Sequence, residues 1–266
     1  LTTPENSEAA YDLRRLDFWL LFGISFAALV GFSFFGVRSR SAVLTLLMRF
    51  PARSVVLFAI VPVLLASGAS RLPPRAGFSV LPILEGWRAR SLMARDAAIP
   101  VAIGAAVGTL QSYAVVQYVQ LLKNWFGPAT STRHLHHQLL NVGELISGSI
   151  IEEIFDRGVI FAVFVIAIRW VWEAPISRKS IPIWVANILQ ALVFGADHIS
   201  LGVGGLYAWP WYVSLPLLAQ TWGGIILGCV YWKYGLESAI ICHATYDVLV
   251  LKAARHIIRI PVLLRI

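Results

Sequence analysis

Cysteine is nearly absent from this chain. Only Cys229 and Cys242 occur, each inside an apolar stretch, so no disulfide framework is visible. Charge is scarce as well: Asp, Glu, Lys and Arg make up 14% of the 266 residues, against about a quarter in soluble domains. Neither an internal repeat nor a separate soluble domain can be discerned. What fills the chain is apolar, with 58% hydrophobic residues and a mean hydropathy of +0.73. Such a composition excludes an ordinary soluble domain and implies a polytopic membrane protein.

The little charge there is has a pattern. The net charge of +8 comes from Arg and Lys gathered in connecting segments: Arg14 and Arg15, Arg38 and Arg40, Arg71 and Arg75, Arg88 to Arg95, Arg178 and Lys179. Loops facing anionic lipid headgroups explain this clustering, and it requires no nucleic-acid partner. Counted on alternate sides of the membrane, the basic residues balance and do not orient the bundle.

A membrane helix needs about 20 apolar residues, and the chain offers seven such stretches in its preferred reading. They run roughly over Leu16 to Val37, Ala42 to Ala69, Ala97 to Leu122, Val142 to Trp172, Ile181 to Ile199, Tyr212 to Trp232 and Leu236 to Ala254. The second is interrupted by Arg49, Pro51 and Arg53, so the count is six to eight. Arg71 to Asp96 reads as a basic connector, and Tyr207, Trp209 and Trp211 suit an interfacial aromatic belt. Gly104 and Gly108 form a small-xxx-small pattern that permits close helix approach. The expected fold is an all-α transmembrane bundle, one domain over residues 1–266.

Four ionisable side chains sit where they cost most, at Glu152, Glu153, Asp156 and Arg157, midway along the fourth stretch. Buried at that depth, such charges face a protein interior or a water cavity and mark a functional site by default. Glu153 and Arg157 are four apart, in the favoured acid-before-base order for a helical ion pair. Glu152 points about 100° away and shares its face with Asp156. No basic residue follows Glu152 at i+3 or i+4, so within its own helix nothing prevents it from acting as a base.

Two further polar clusters lie in later spans. The fifth ends in Phe194 to His198, and the last contains His243 and Asp247, four apart, so the carboxylate can orient the imidazole. Either His alone could simply bond a neighbouring helix. Three clusters on three helices, all in registers that permit convergence, point instead to one site. His134, His136 and His137 suggest metal at first sight. No acidic or Cys partner accompanies them, and a loop without metal chemistry is the expected reading.

These residues resemble a known family. Glu152-Glu153-x-x-x-Arg157, Phe194-x-x-x-His198 and His243-x-x-x-Asp247 are similar to the ordered EExxxR, FxxxH and HxxxN/D motifs of the CAAX prenyl protease type II family, also called the CPBP or ABI family, which includes the Ras-converting enzymes. The resemblance covers roughly residues 142–255. It implies a glutamate-type intramembrane endopeptidase acting on a peptide or protein substrate, prenylated at its carboxyl end or a related prokaryotic one. Carried over, Glu152 would activate water with His198 assisting, while His243 and Asp247 would stabilise the oxyanion. Glu153, Arg157, Asp156 and Phe194 would support the site. No cofactor and no metal are expected. The location expected is a membrane, bacterial plasma membrane in preference to endoplasmic reticulum.

The chain departs from the pattern at two positions. Residue 247 is Asp where many members have Asn, and an ionised Asp only accepts hydrogen bonds. Asp156 stands where an aromatic residue is common, one turn from Glu152, close enough for two carboxylates to share a proton. Alternatives remain open: zinc held by Glu152, His198, His243 and Asp247, although no HExxH helix is present, or a transporter or non-catalytic binding or immunity protein using the same groups. Ser149 and Cys242 lie close by, but neither has a His one turn away to make it a nucleophile.

Overall fold

The computed structural model describes residues 16–30, 60–79, 81–83, 94–126, 142–172, 180–201 and 210–263, and among them there is no strand. The all-α expectation holds. The helices are α1 (Leu16–Val30), α2 (Val61–Ala76), α3 (Ala94–Phe126), α4 (Val142–Phe155), α5 (Ala162–Val171), α6 (Ser180–Leu201), α7 (Pro210–Tyr234) and α8 (Leu236–Leu263). Between α4 and α5 the chain makes one π-helical segment, Asp156–Phe161. Arg49, Pro51 and Arg53, the histidines at 134, 136 and 137, and the aromatic residues 207, 209 and 211 lie outside the described residues.

Besides α8, which runs on to Leu263 past the expected Ala254, two features differ from the sequence expectation. The connector expected from Arg71 is still helix up to Ala76, in spite of Pro73 and Pro74. It stops at Gly77, whose φ of +81° only glycine adopts cheaply. There the amide of Gly77 donates to the Pro74 carbonyl and that of Phe78 to the Pro73 carbonyl, the paired bonds of a Schellman cap. Arg169 Nη1 donates to the Ala76 carbonyl at 2.8 Å and places a cation at the negative end of the helix. The second difference is the π-helical segment inside what reads as one helix over 142–172. An extra residue in the turn rotates everything after Phe155 relative to α4.

Around a buried apolar core that includes Ile154, Phe161, Val165 and Leu227, the distribution of polar and apolar side chains departs from that of a soluble protein. Leu64, Leu110, Tyr113, Trp170 and Trp222 are exposed, while Glu153, Asp156, Arg157, Asn187, Gln190 and His243 are buried. Apolar residues outward and charges inward suit a hydrocarbon surround. By length and composition one described segment, Ser180–Asp197, is apolar enough to cross a membrane, and Leu16–Val30 and Ala98–Ala114 are shorter apolar helices. In α4, Glu152 and Glu153, two of the charges that depress its hydropathy, belong to the charged cluster described below.

α8 is the central strut, packing against α3, α4 and α7, while α6 packs against α5, α7 and the π-helical segment. The glycine pair of α3 meets α8 as the sequence pattern expects. A Cβ on Gly104 would lie 2.8 Å from the Ser238 carbonyl oxygen, and one on Gly108 2.5 Å from that of Cys242. Gly108→Ala is therefore expected to lower stability by about 1–3 kcal/mol, the backbone clash outweighing the gain in helix propensity. Gly23→Ala, with nothing within 4 Å, is the control. Thermal unfolding in detergent checks the difference, and equal melting temperatures for the two variants would contradict it.

Candidate active site

The site grows from α4. Its register turns Glu153 inward, where the side chain is fully buried, and Arg157 four residues on is fully buried with it. Their ion pair measures 3.0 Å between Nη1 and Oε1. Arg157 lies within the π-helical segment and meets several partners at once. Its guanidinium sits 4.6 Å above the Phe194 ring of α6, its Nη2 lies 3.4 Å from the Gly224 carbonyl of α7, and its Nη1 is 3.7 Å from Asp156 Oδ2. One cation thereby ties α4, α6 and α7 together.

The same Glu153 oxygen reaches α8. His243 Nδ1 lies 2.7 Å from Glu153 Oε1, the short contact of a charge-assisted hydrogen bond. With Nδ1–H committed to Glu153, the other edge of the ring is defined: Nε2 is 3.7 Å from Glu152 Oε2 and 3.6 Å from Asp247 Oδ2. Both separations exceed a direct hydrogen bond, so among these three groups Nε2 is not committed as Nδ1 is. Phe194 flanks the ring edge-on, with centroids 5.8 Å apart.

The two adjacent glutamates consequently occupy different worlds. Glu153 is sealed between a guanidinium and an imidazole, whereas the Glu152 side chain is 41% exposed at the Nε2 edge of His243. Asp156, which the sequence puts on the Glu152 face, is buried, with Oδ2 3.7 Å from Arg157 Nη1. The sequence reading also gave Asp247 the task of orienting His243. The tighter orienting contact is that of Glu153, because α4 and α8 bring residues 153 and 243 to the same level. Asp247 in turn is held by Ser149, whose Oγ is 2.7 Å from Oδ2.

His198 lies on α6 one turn beyond Phe194, and its side chain is outside the described residues. Of the three motif clusters, the structure brings together Glu152 and Glu153, Phe194, and His243 with Asp247. Among the described residues no group of His, Cys, Asp and Glu has the arrangement of a metal centre.

Sequence reasoning missed a buried amide layer beneath the site. Asn187 and Gln190 on α6 are buried, and Asn187 Nδ2 donates to the Ile225 carbonyl at 3.1 Å. Their spacing to Phe194 is that of one helix face, a signal the sequence did carry. Beside them, Gly224 lets α7 approach Ala191 closely.

No curated protein and no solved structure matches the chain. Residues 139–249, the stretch that carries every residue of this cluster, match the family described as type II CAAX prenyl endopeptidase Rce1-like, a membrane-embedded family of proteases.

Proposed function

We propose that the protein is an intramembrane endopeptidase of the glutamate type, hydrolysing a peptide bond near the carboxyl end of a membrane-associated substrate. The observation that carries this reading is the opposed geometry around His243: one ring nitrogen anchored by Glu153 at 2.7 Å, the other aimed at Glu152 and Asp247 from 3.6 to 3.7 Å. In this reading residues 1–266 form one membrane domain of six to eight spans. Its chemistry lies within residues 142–255.

The exposed Glu152 carboxylate takes a proton from water, and the oxygen adds to the peptide carbonyl carbon. Negative charge then develops on the carbonyl oxygen. A His243 ring protonated at both nitrogens keeps Nδ1–H on Glu153 and offers Nε2–H to that oxyanion, a preorganised donor in a site shielded from bulk water. Collapse of the tetrahedral intermediate breaks the C–N bond, and the proton held by Glu152 passes to the leaving amine. Asp247 holds the Nε2 edge in place. His198, carried over from the family motif, helps position the water.

The test is cleavage of matched prenylated and unprenylated carboxyl-terminal peptides by the purified protein in detergent, with Glu152→Ala alongside. Cleavage confined to prenylated peptides and lost in the variant supports CAAX-type processing. Cleavage of both supports a broader peptidase. No cleavage of any peptide, with the protein folded, rejects the enzyme in favour of transport or binding. Chelator is expected to leave the rate unchanged, and loss that zinc restores would assign the cluster to metal.

A further inference from the structure

Ser149 lies on α4, one turn before Glu153, and is buried to 1% exposure. Its Oγ is 2.7 Å from Asp247 Oδ2 across the α4–α8 contact and 2.8 Å from the Leu145 carbonyl on its own helix. Asp247 Oδ2 is also the oxygen that stands 3.6 Å from His243 Nε2. Hydroxyl, carboxylate oxygen and imidazole thus form one chain from the interior of α4 to the reacting edge of the ring.

Burial removes the nucleophile reading of Ser149, because a peptide carbonyl cannot reach a hydroxyl with so little exposed surface. We infer that Ser149 is a positioning residue for the proposed peptidase, holding the Asp247 carboxylate against the Nε2 edge of His243. This inference rests on the reading of the cluster as the catalytic site.

The physical need for such a residue is specific. A carboxylate turns easily about its last bond, and Asp247 is 21% exposed, so water competes for its oxygens. A donor fixed to the helix backbone decides where one oxygen stays. Ser149 has a single hydroxyl proton and two acceptors within 2.8 Å, and removing the hydroxyl takes from Asp247 Oδ2 the donor that stands 2.7 Å away. The Leu145 carbonyl keeps its place in the helix and loses little. Asparagine at 247 could accept the same bond through its amide oxygen, which makes the serine the shared partner for either residue.

The experiment is a cycle of Ser149→Ala, Ser149→Thr, Asp247→Ala and the double alanine variant, with kcat and KM measured on a cleaved peptide. A second arm records the imidazole nitrogen resonances of histidine-labelled protein, with His243→Gln used to assign the His243 signals. Ser149→Ala is expected to lower kcat about tenfold with KM unchanged, Ser149→Thr to restore most of it, and Ser149→Ala to add no more than about twofold once Asp247 is alanine. The His243 Nε2 resonance is expected to move in Ser149→Ala and to return in Ser149→Thr.

Additive losses, a threonine variant no better than alanine, or an unmoved resonance overturn the positioning role. The resonance arm needs no turnover. If the wild-type protein cleaves nothing yet the His243 signal follows Ser149, the positioning role stands and the peptidase reading fails. If the protein cleaves and neither readout responds, the reverse holds.

Discussion

Glu152→Gln is expected to lower kcat by about 10²- to 10⁴-fold while leaving KM and the melting temperature nearly unchanged. The amide keeps the size and the hydrogen-bonding reach of the carboxylate but cannot accept a proton from water. Since the Glu152 side chain is 41% exposed and glutamine matches its size, the loss should appear mainly in the chemical step. The neighbouring substitution makes the contrast. Glu153→Gln takes the negative charge from between Arg157 and His243, so it is expected to reduce stability and activity together. If Glu152→Gln turns over at the wild-type rate, Glu152 is not the base and the proposed mechanism is lost.

Arg157→Met is expected to destabilise the protein by about 3–5 kcal/mol, the cost of leaving a buried charge without its counter-ion. Glu153 at 3.0 Å, Asp156 at 3.7 Å and the Phe194 face all lose their shared partner, and Glu153 keeps its contact with the His243 imidazole. Arg157→Lys should fall in between, because an ammonium carries the charge but not the planar fork that meets several groups at once. Pairing Arg157→Met with Glu153→Gln is expected to recover part of the stability without recovering activity. The charge imbalance is then relieved, yet His243 has still lost its ionic anchor. Denaturant titration in mixed micelles together with peptide cleavage separates the two effects, and a wild-type midpoint for Arg157→Met would refute the argument.

How far the sequence could be read varies from residue to residue. The long apolar segments read directly, and α6, α7 and the start of α8 lie within a few residues of their expected limits because hydropathy and helix length set them. The Glu153–Arg157 pair was legible for a related reason: spacing of four within one helix is local geometry. The approach of α3 to α8 was legible in Gly104 and Gly108, since only small residues allow it. The basic, proline-containing stretch from Arg71 misled, because the helix continues through Pro73 and Pro74 to its cap at Gly77. The π-helical segment had no visible signal.

Composition alone determined a helical protein with an apolar exterior, and the order of its charged motifs pointed to one family and a short set of candidate residues. The tertiary structure decided which partner each of them has. That Glu153 and not Asp247 makes the closest contact with His243, and that Ser149 reaches Asp247, depend on the relative height and rotation of α4 and α8. Periodicity reports the face of a helix a residue occupies, but the neighbour it meets is set by long-range packing, in which shifting one helix against another by a single residue redirects every contact.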